Sequence, residues 1–164
     1  PFGDHIHTDA MILGEFCHLT DLGELGERCF HYVAPGFKGR VAAGQSVVVA
    51  GEAWGSGSSR EHAVWALKGA GVQAVIAKSY AFIHKRNLVN EAIPHLVLAD
   101  PEFHAAVTDG ADITVDLGAG TVTVAGRTWQ AQAPTAIAAA LQAAGGIVPA
   151  IRAHGPEVFE KLTA

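Results

Sequence analysis

The residues able to do chemistry concentrate in one run, Val47-Val48-Val49-Ala50-Gly51-Glu52-Ala53-Trp54-Gly55-Ser56-Gly57-Ser58-Ser59-Arg60-Glu61-His62-Ala63. Its β-branched start, glycine-rich centre and apolar-periodic end read as strand, turn and helix. A loop that enters a helix offers unpaired N–H groups and the positive end of the helix dipole, so it favours an anion. Arg60 adds a planar fork of donors suited to a carboxylate or phosphate. The run therefore predicts an anionic-substrate site with a serine presented for chemistry. It is not a dinucleotide fingerprint, because Gly55-Ser56-Gly57-Ser58-Ser59-Arg60 lacks the third glycine. It lacks the Gly-Lys-Ser/Thr ending of a Walker A loop, and its register does not fit a nucleophile elbow. The plainer alternative is an ordinary strand-to-helix turn with serine caps. Two serines beside an arginine favour the anion site.

A second cluster is Asp4-His5-Ile6-His7-Thr8-Asp9. On a strand, His-x-His puts both imidazoles on one face. Zinc accepts that spacing, with Asp9 as a further ligand. A polar surface strand or turn is the simpler reading, and no second His-x-His or His-Glu-x-x-His supplies more ligands. The remaining histidines, among them His31, His62, His84, His95, His104 and His154, are scattered and read as surface or supporting groups. His84-Lys85-Arg86 reads as a solvated helix face. Cys17 and Cys29 form neither a CxxC nor a disulfide framework, and a reducing cytoplasmic setting is expected.

These groups need a frame. Ser46–Ala50, Ala74–Ala77 and His95–Leu98 are short continuous apolar runs. Helices are expected over Ser59–Gly69, ending near Gly71, and over Tyr80–Glu91, which would pack through Phe82, Ile83 and Val89. Strands alternating with helices favour a parallel sheet buried on both faces. Upstream, Thr20 or Asp21 is placed to cap a helix through Phe30, and residues 34–45, with Pro35, Gly36, Gly39 and Gly44, read as connection. Downstream, Pro101–Val107 reads as a short helix. Ala111–Asp116, Thr121–Ala125 and Thr128–Ala131 read as an antiparallel meander. Pro134 opens a helix to about Ala144, stopped by Gly145-Gly146, and a last helix is expected around Glu157–Leu162.

The chain's 164 residues suffice for one domain, 1–164, with its own core. A hydrophobic content of 49% argues against disorder, and a net charge of -5 argues against nucleic acid as partner. No run of 18 apolar residues predicts a membrane span. Pro1-Phe2-Gly3-Asp4 has neither the basic nor the apolar region of a secretory leader.

The stretch Gly-Ser-Gly-Ser-Ser-Arg-Glu-His-Ala at 55–63 resembles the signature of the aconitase superfamily swivel domain. The likeness continues through Trp65-Ala66-Leu67-Lys68, Ala74-Val75-Ile76-Ala77-Lys78-Ser79-Tyr80-Ala81, Ile83 and Arg86-Asn87. Gly3-Asp4 and Thr8-Asp9 are similar to that family's opening. At this size the chain is similar to small subunits of 3-isopropylmalate dehydratase and its homoaconitase and dimethylmalate dehydratase relatives. The resemblance covers residues 3–98 well and the tail loosely. It implies an α/β, three-layer β/β/α swivelling domain with a parallel central sheet and a C-terminal antiparallel meander. It also implies a separate large subunit carrying a [4Fe-4S] cluster, the Lewis acid for the leaving hydroxyl. The implied reaction is reversible dehydration of a hydroxy di- or tricarboxylate, with re-addition of water in the isomerases, chemistry of leucine biosynthesis.

By the same resemblance Ser58 is the catalytic base, taking a proton from the carbon next to a carboxylate. A helix N-terminus and a guanidinium would stabilise its alkoxide. Arg60 binds a substrate carboxylate, with Ser59 and Thr8 lining the same pocket. Asp4 supports a histidine of the large subunit. The family's substrate-selecting loop often reads Tyr-Leu followed by Arg or Lys; here it is Phe16-Cys17-His18-Leu19. His18 contacts a carboxylate only when protonated, so its charge depends on pH. A smaller or less anionic substrate side group is expected. Two rival readings remain open at this point: a stand-alone metal-dependent enzyme using His5, His7 and Asp9, and a non-catalytic carboxylate-binding module.

Overall fold

The computed structural model describes residues 1–163. Three short strands, β1 (Val47–Ala50), β2 (Ala74–Ala77) and β3 (His95–Val97), form a parallel sheet in the order β1-β2-β3. The register sets Val48 beside Val75 and Ile76 beside Leu96. Helix α4 (His62–Ala70) connects β1 to β2, and α5 (Phe82–Asn90) connects β2 to β3. A second sheet of β4 (Ile113–Asp116), β5 (Thr121–Val124) and β6 (Arg127–Gln130) is the expected antiparallel meander. It follows α6 (Pro101–Ala106), whose first turn is capped by the Asp100 carboxylate.

Side chains on a strand alternate between faces, and here alternation sorts two cores. Val48, Ala50, Val75 and Ala77 pack with Met11, Leu25, Val64, Leu67 and Leu88 on the helical side. Val49, Ile76 and Leu96 point the other way, onto Phe103, Val122, Val124 and Trp129 of the second sheet side. The parallel sheet is thus the middle of a β/β/α sandwich, as the resemblance implied.

Four short N-terminal helical pieces complete the helical layer's edge: α1 (Thr8–Met11), a 3-10 turn at Gly14–Phe16, α2 (Leu22–Glu27) and α3 (Phe37–Ala42). Asp21 is the cap of α2, its carboxylate accepting from the Glu24 N–H, but the helix ends at Glu27 and not at Phe30, which has φ +53. α3 replaces the expected connection. Phe37 and Val41, four residues apart, bury one face of it, and Gly36 at φ +80 starts it. Three C-terminal helices, α7 (Ala136–Ala143), α8 (Ile147–His154) and α9 (Val158–Thr163), gather around Leu141, Ala150 and Val158, with Val89 packed against them.

α5 corrects one expectation. Phe82 and Ile83 are exposed, Phe82 by 81%, and the buried face is His84, Asn87 and Leu88. Among the described residues no single helix is long and apolar enough to cross a membrane.

Candidate active site

Backbone pairing brings the two polar motifs together. Residues 5–8 run alongside 52–56: the His5 N–H donates to Glu52 O, the Gly55 N–H to Ile6 O, and the Thr8 N–H to Ser56 O, at 2.7–2.9 Å. Beneath them Phe2 stacks on Phe30 at 4.5 Å between centroids and meets Trp54 edge-on at 5.5 Å. Trp54, fully buried, thus anchors the turn to the helical core. This aromatic clamp had no local signature, because Phe2, Phe30 and Trp54 are far apart in sequence.

Helix α4 starts at His62, three residues later than expected, with Glu61 as an unaided N-cap. Ser58 therefore does not sit in the first turn of the helix, where the sequence pattern places it. Gly57, at φ +102, turns the chain away from helical geometry. Thr8 then holds the next residue: its Oγ1 accepts the Ser58 N–H at 3.1 Å and lies 3.2 Å from Ser58 O and 3.3 Å from Ser58 Oγ. Thr8 is buried. Its hydroxyl is engaged by the backbone of Ser58.

Arg60 is exposed and donates to the Asp9 carboxylate at 2.7 Å. A Cβ on Gly14 would lie 3.4 Å from the Arg60 guanidinium, so the turn leading into Phe16-Cys17-His18-Leu19 packs on the arginine. His18 is exposed, with Nδ1 2.7 Å from Glu15 O. Ser59 is exposed, and its carbonyl accepts from Asn87 Nδ2 at 3.4 Å. Asp4 closes the turn after β1, its Oδ1 accepting the Glu52 N–H at 2.7 Å with Lys78 Nζ 3.9 Å away. That backbone bond, helped by Lys78, holds the Asp4 carboxyl below its ordinary value.

The metal-ligand geometry expected of His5, His7 and Asp9 is not formed. His5 has φ +56, so 5–7 is not a regular strand with both rings on one face, and Asp9 is paired with Arg60. Among the described residues no three of His, Cys, Asp and Glu gather to hold a metal ion. A cavity of about 780 Å³ lies elsewhere, between Phe2, Phe37, Val48 and residues 107–113, and none of Ser58, Ser59 and Arg60 lines it. The half-buried Ser58 and the exposed Ser59 and Arg60 instead follow the C-terminal end of β1, the end of the strands at which α/β sheets bind ligands.

Lys85 and Arg86 are exposed as expected, but His84 is buried and does not share their solvated face. The ring is buried against Gly55, and burial pushes its pKa down to about 4, with His95 nearby adding to the effect. An unfolded histidine titrates near 6.5. Between these values the unfolded chain binds the proton and the folded chain does not, so stability is complete above about pH 6.5 and falls as pH drops toward 4. The expected loss is on the order of 3 kcal/mol at pH 4. Urea unfolding from pH 7 to 4 measures it, with a His84→Phe variant expected to flatten the decline; an equal decline in both assigns it to other groups.

A family model described as the aconitase C-terminal domain matches residues 33–101. The chain is 40% identical over 150 residues to the 3-isopropylmalate dehydratase small subunit of Moorella thermoacetica, covering 90% of this chain and 89% of that protein. It is 42% identical over 164 residues to Aconitase htyD of Aspergillus rugulosus, covering 99% of this chain but only 18% of that much longer protein. Its fold is similar to the crystal structure of a 3-isopropylmalate dehydratase chain from Methanocaldococcus jannaschii, with TM-score 0.85, 33% identity, and 99% and 95% of the two chains covered.

Proposed function

Since the chain belongs to the aconitase-superfamily swivel domains and is homologous to the small subunits of 3-isopropylmalate dehydratase, we propose that it is the small subunit of a heteromeric hydro-lyase. Its substrate is a 2-hydroxy di- or tricarboxylate such as 3-isopropylmalate or a related substituted malate, dehydrated reversibly and isomerised. Residues 1–164 act as one swivel domain in a cytoplasmic complex, a setting that suits the free thiols of Cys17 and Cys29.

One observation carries this reading: the half-buried Ser58, held by the buried Thr8, lies two residues before the exposed Arg60, which pairs with the exposed Asp9. A site open to solvent at Arg60 cannot exclude water from a reacting carbon by itself, and a second subunit closing over it would. Arg60, oriented by Asp9, clamps a substrate carboxylate. Ser58, held through its backbone by Thr8, takes the proton from the adjacent carbon. Ser59 faces the same space, and the 14–18 turn, with His18, sets which side group fits. Asp4 orients a group of the partner across the cleft. The [4Fe-4S] cluster belongs to that partner. This chain's cysteines do not fit it: there are two, and burial pushes the Cys29 thiol pKa up, disfavouring the thiolate a metal needs.

Mixing the purified chain with a cluster-bearing large subunit under anaerobic conditions is expected to give turnover of a C3-substituted malate that neither chain gives alone. No turnover across a panel of such malates and candidate partners removes the proposal. In an active complex, Arg60→Ala is expected to raise KM tenfold to a hundredfold, roughly 1.4–2.7 kcal/mol, the scale of one charged hydrogen bond. An unchanged KM places the carboxylate elsewhere.

A further inference from the structure

Helix α5 runs under the turn that carries the two serines. Its inward side presents His84 and Asn87, three residues apart and therefore on one face. Both are nine-tenths buried or more, which is unusual for polar side chains. A Cβ on Gly55 would lie 2.1 Å from His84 Cγ, so the imidazole packs directly on the backbone of the turn where Gly55 takes φ +78. One helical turn further on, Asn87 Nδ2 donates to Ser59 O. Thr8 of α1 holds Ser58 through the backbone N–H and carbonyl. The base-bearing turn is thus held between α1 and α5.

Neither nitrogen of His84 has a hydrogen-bond partner among the described residues. An imidazole buried without polar contacts and kept neutral acts by its shape. Asn87 differs, because its donor meets a specific carbonyl.

Resting on the reading that Ser58 is the base, we propose that His84 and Asn87 are positioning residues that set the Gly55–Ser59 turn, His84 through ring volume and Asn87 through its amide donor. Neither touches substrate. Without the ring, Gly55 loses its floor and the turn samples more backbone conformations. Without the donor, the Ser59 carbonyl is free to rotate and carry Ser58 off line, and small misplacements of reacting groups cost large factors in rate.

The test uses the reconstituted two-subunit complex. His84→Ala and Asn87→Ala are expected to lower kcat at least tenfold with KM within threefold of wild type. His84→Phe, which restores a ring but not the nitrogens, is expected to return kcat to within threefold. Hydrogen exchange of the Ser58 and Ser59 amides in the same complexes is expected to speed up in both alanine variants and recover with phenylalanine. Unchanged kcat and unchanged exchange in folded alanine variants overturn the proposal, as does a folded His84→Phe complex that stays as slow as alanine. If His84→Ala does not fold, the isosteric Asn87→Asp, which cannot donate, decides by the same two readouts. Absence of turnover in the wild-type complex, with the exchange pattern as expected, breaks the hydro-lyase reading and leaves the positioning role standing.

Discussion

Ser58→Ala is expected to cut kcat of the assembled enzyme about a thousandfold, or about 4 kcal/mol of barrier, the middle of the range for removing a general base. The substitution is clean because of how Thr8 holds the residue. Thr8 Oγ1 contacts the Ser58 N–H and carbonyl, and alanine keeps both. Only the hydroxyl, 3.3 Å from Thr8 Oγ1, is lost. The turn should therefore stay in place, KM should change less than threefold, and exchange of the substrate's carbon-bound proton with solvent should vanish together with dehydration. Ser59→Ala serves as the control, expected to cost much less, since Ser59 is tied in through its carbonyl. Activity of Ser58→Ala within tenfold of wild type would remove Ser58 from the base role. A wild-type complex that binds dicarboxylate and has no turnover to lose would favour a carboxylate-binding module.

Much of the frame can be read from short-range pattern because short-range physics made it. Four consecutive apolar residues at Val47–Ala50 and again at Ala74–Ala77, each followed by helical spacing, demand a strand buried on both faces. The meander is equally visible, since alternating Thr and Val at 121–124 suits a strand buried on one face. α3 was hidden because Gly36 and Gly39 look like loop residues, while the pair that makes the helix, Phe37 and Val41, shows only once it has a core to face. α8 was hidden because Pro149 follows Gly145-Gly146, although a proline in a first helical turn lacks no needed donor. The exposure of Phe82 and burial of His84 depend on which face of α5 the sheet receives, a tertiary choice that periodicity alone left open.

The site divides the same way. Ser58, Ser59 and Arg60 were visible by residue type. Their supports were not: Asp9 on Arg60 and Thr8 on Ser58 are contacts across fifty residues, created by the pairing of 5–8 with 52–56. α4 itself begins only at His62, four residues beyond Ser58.

A close contact between two helices is likewise invisible in sequence, and it makes the largest expected change in stability. Helices α2 and α4 cross where Gly26 meets Gly69. A Cβ on Gly69 would lie 1.7 Å from Leu22 O, and one on Gly26 would lie 2.2 Å from the Gly69 carbonyl carbon. Both obstacles are backbone, so no rotamer change relieves them. Alanine is ordinarily better than glycine inside a helix by about 0.5–1 kcal/mol. Here the helices must separate, uncovering the buried Leu25 and Leu67, and the cost should exceed the usual overpacking range of about 1–3 kcal/mol. We expect Gly69→Ala to destabilise the chain by about 4 kcal/mol and lower Tm by roughly 8–16 °C. Gly39→Ala in α3 is the matched control: an added Cβ there meets nothing within 4 Å, so it should be neutral or gain about 0.5–1 kcal/mol. The contrast tests close approach against helix propensity. If the two variants melt alike, the α2–α4 crossing is looser than a glycine-to-glycine contact. If only Gly69→Ala falls, the close backbone approach of α2 and α4 is what the added methyl group breaks.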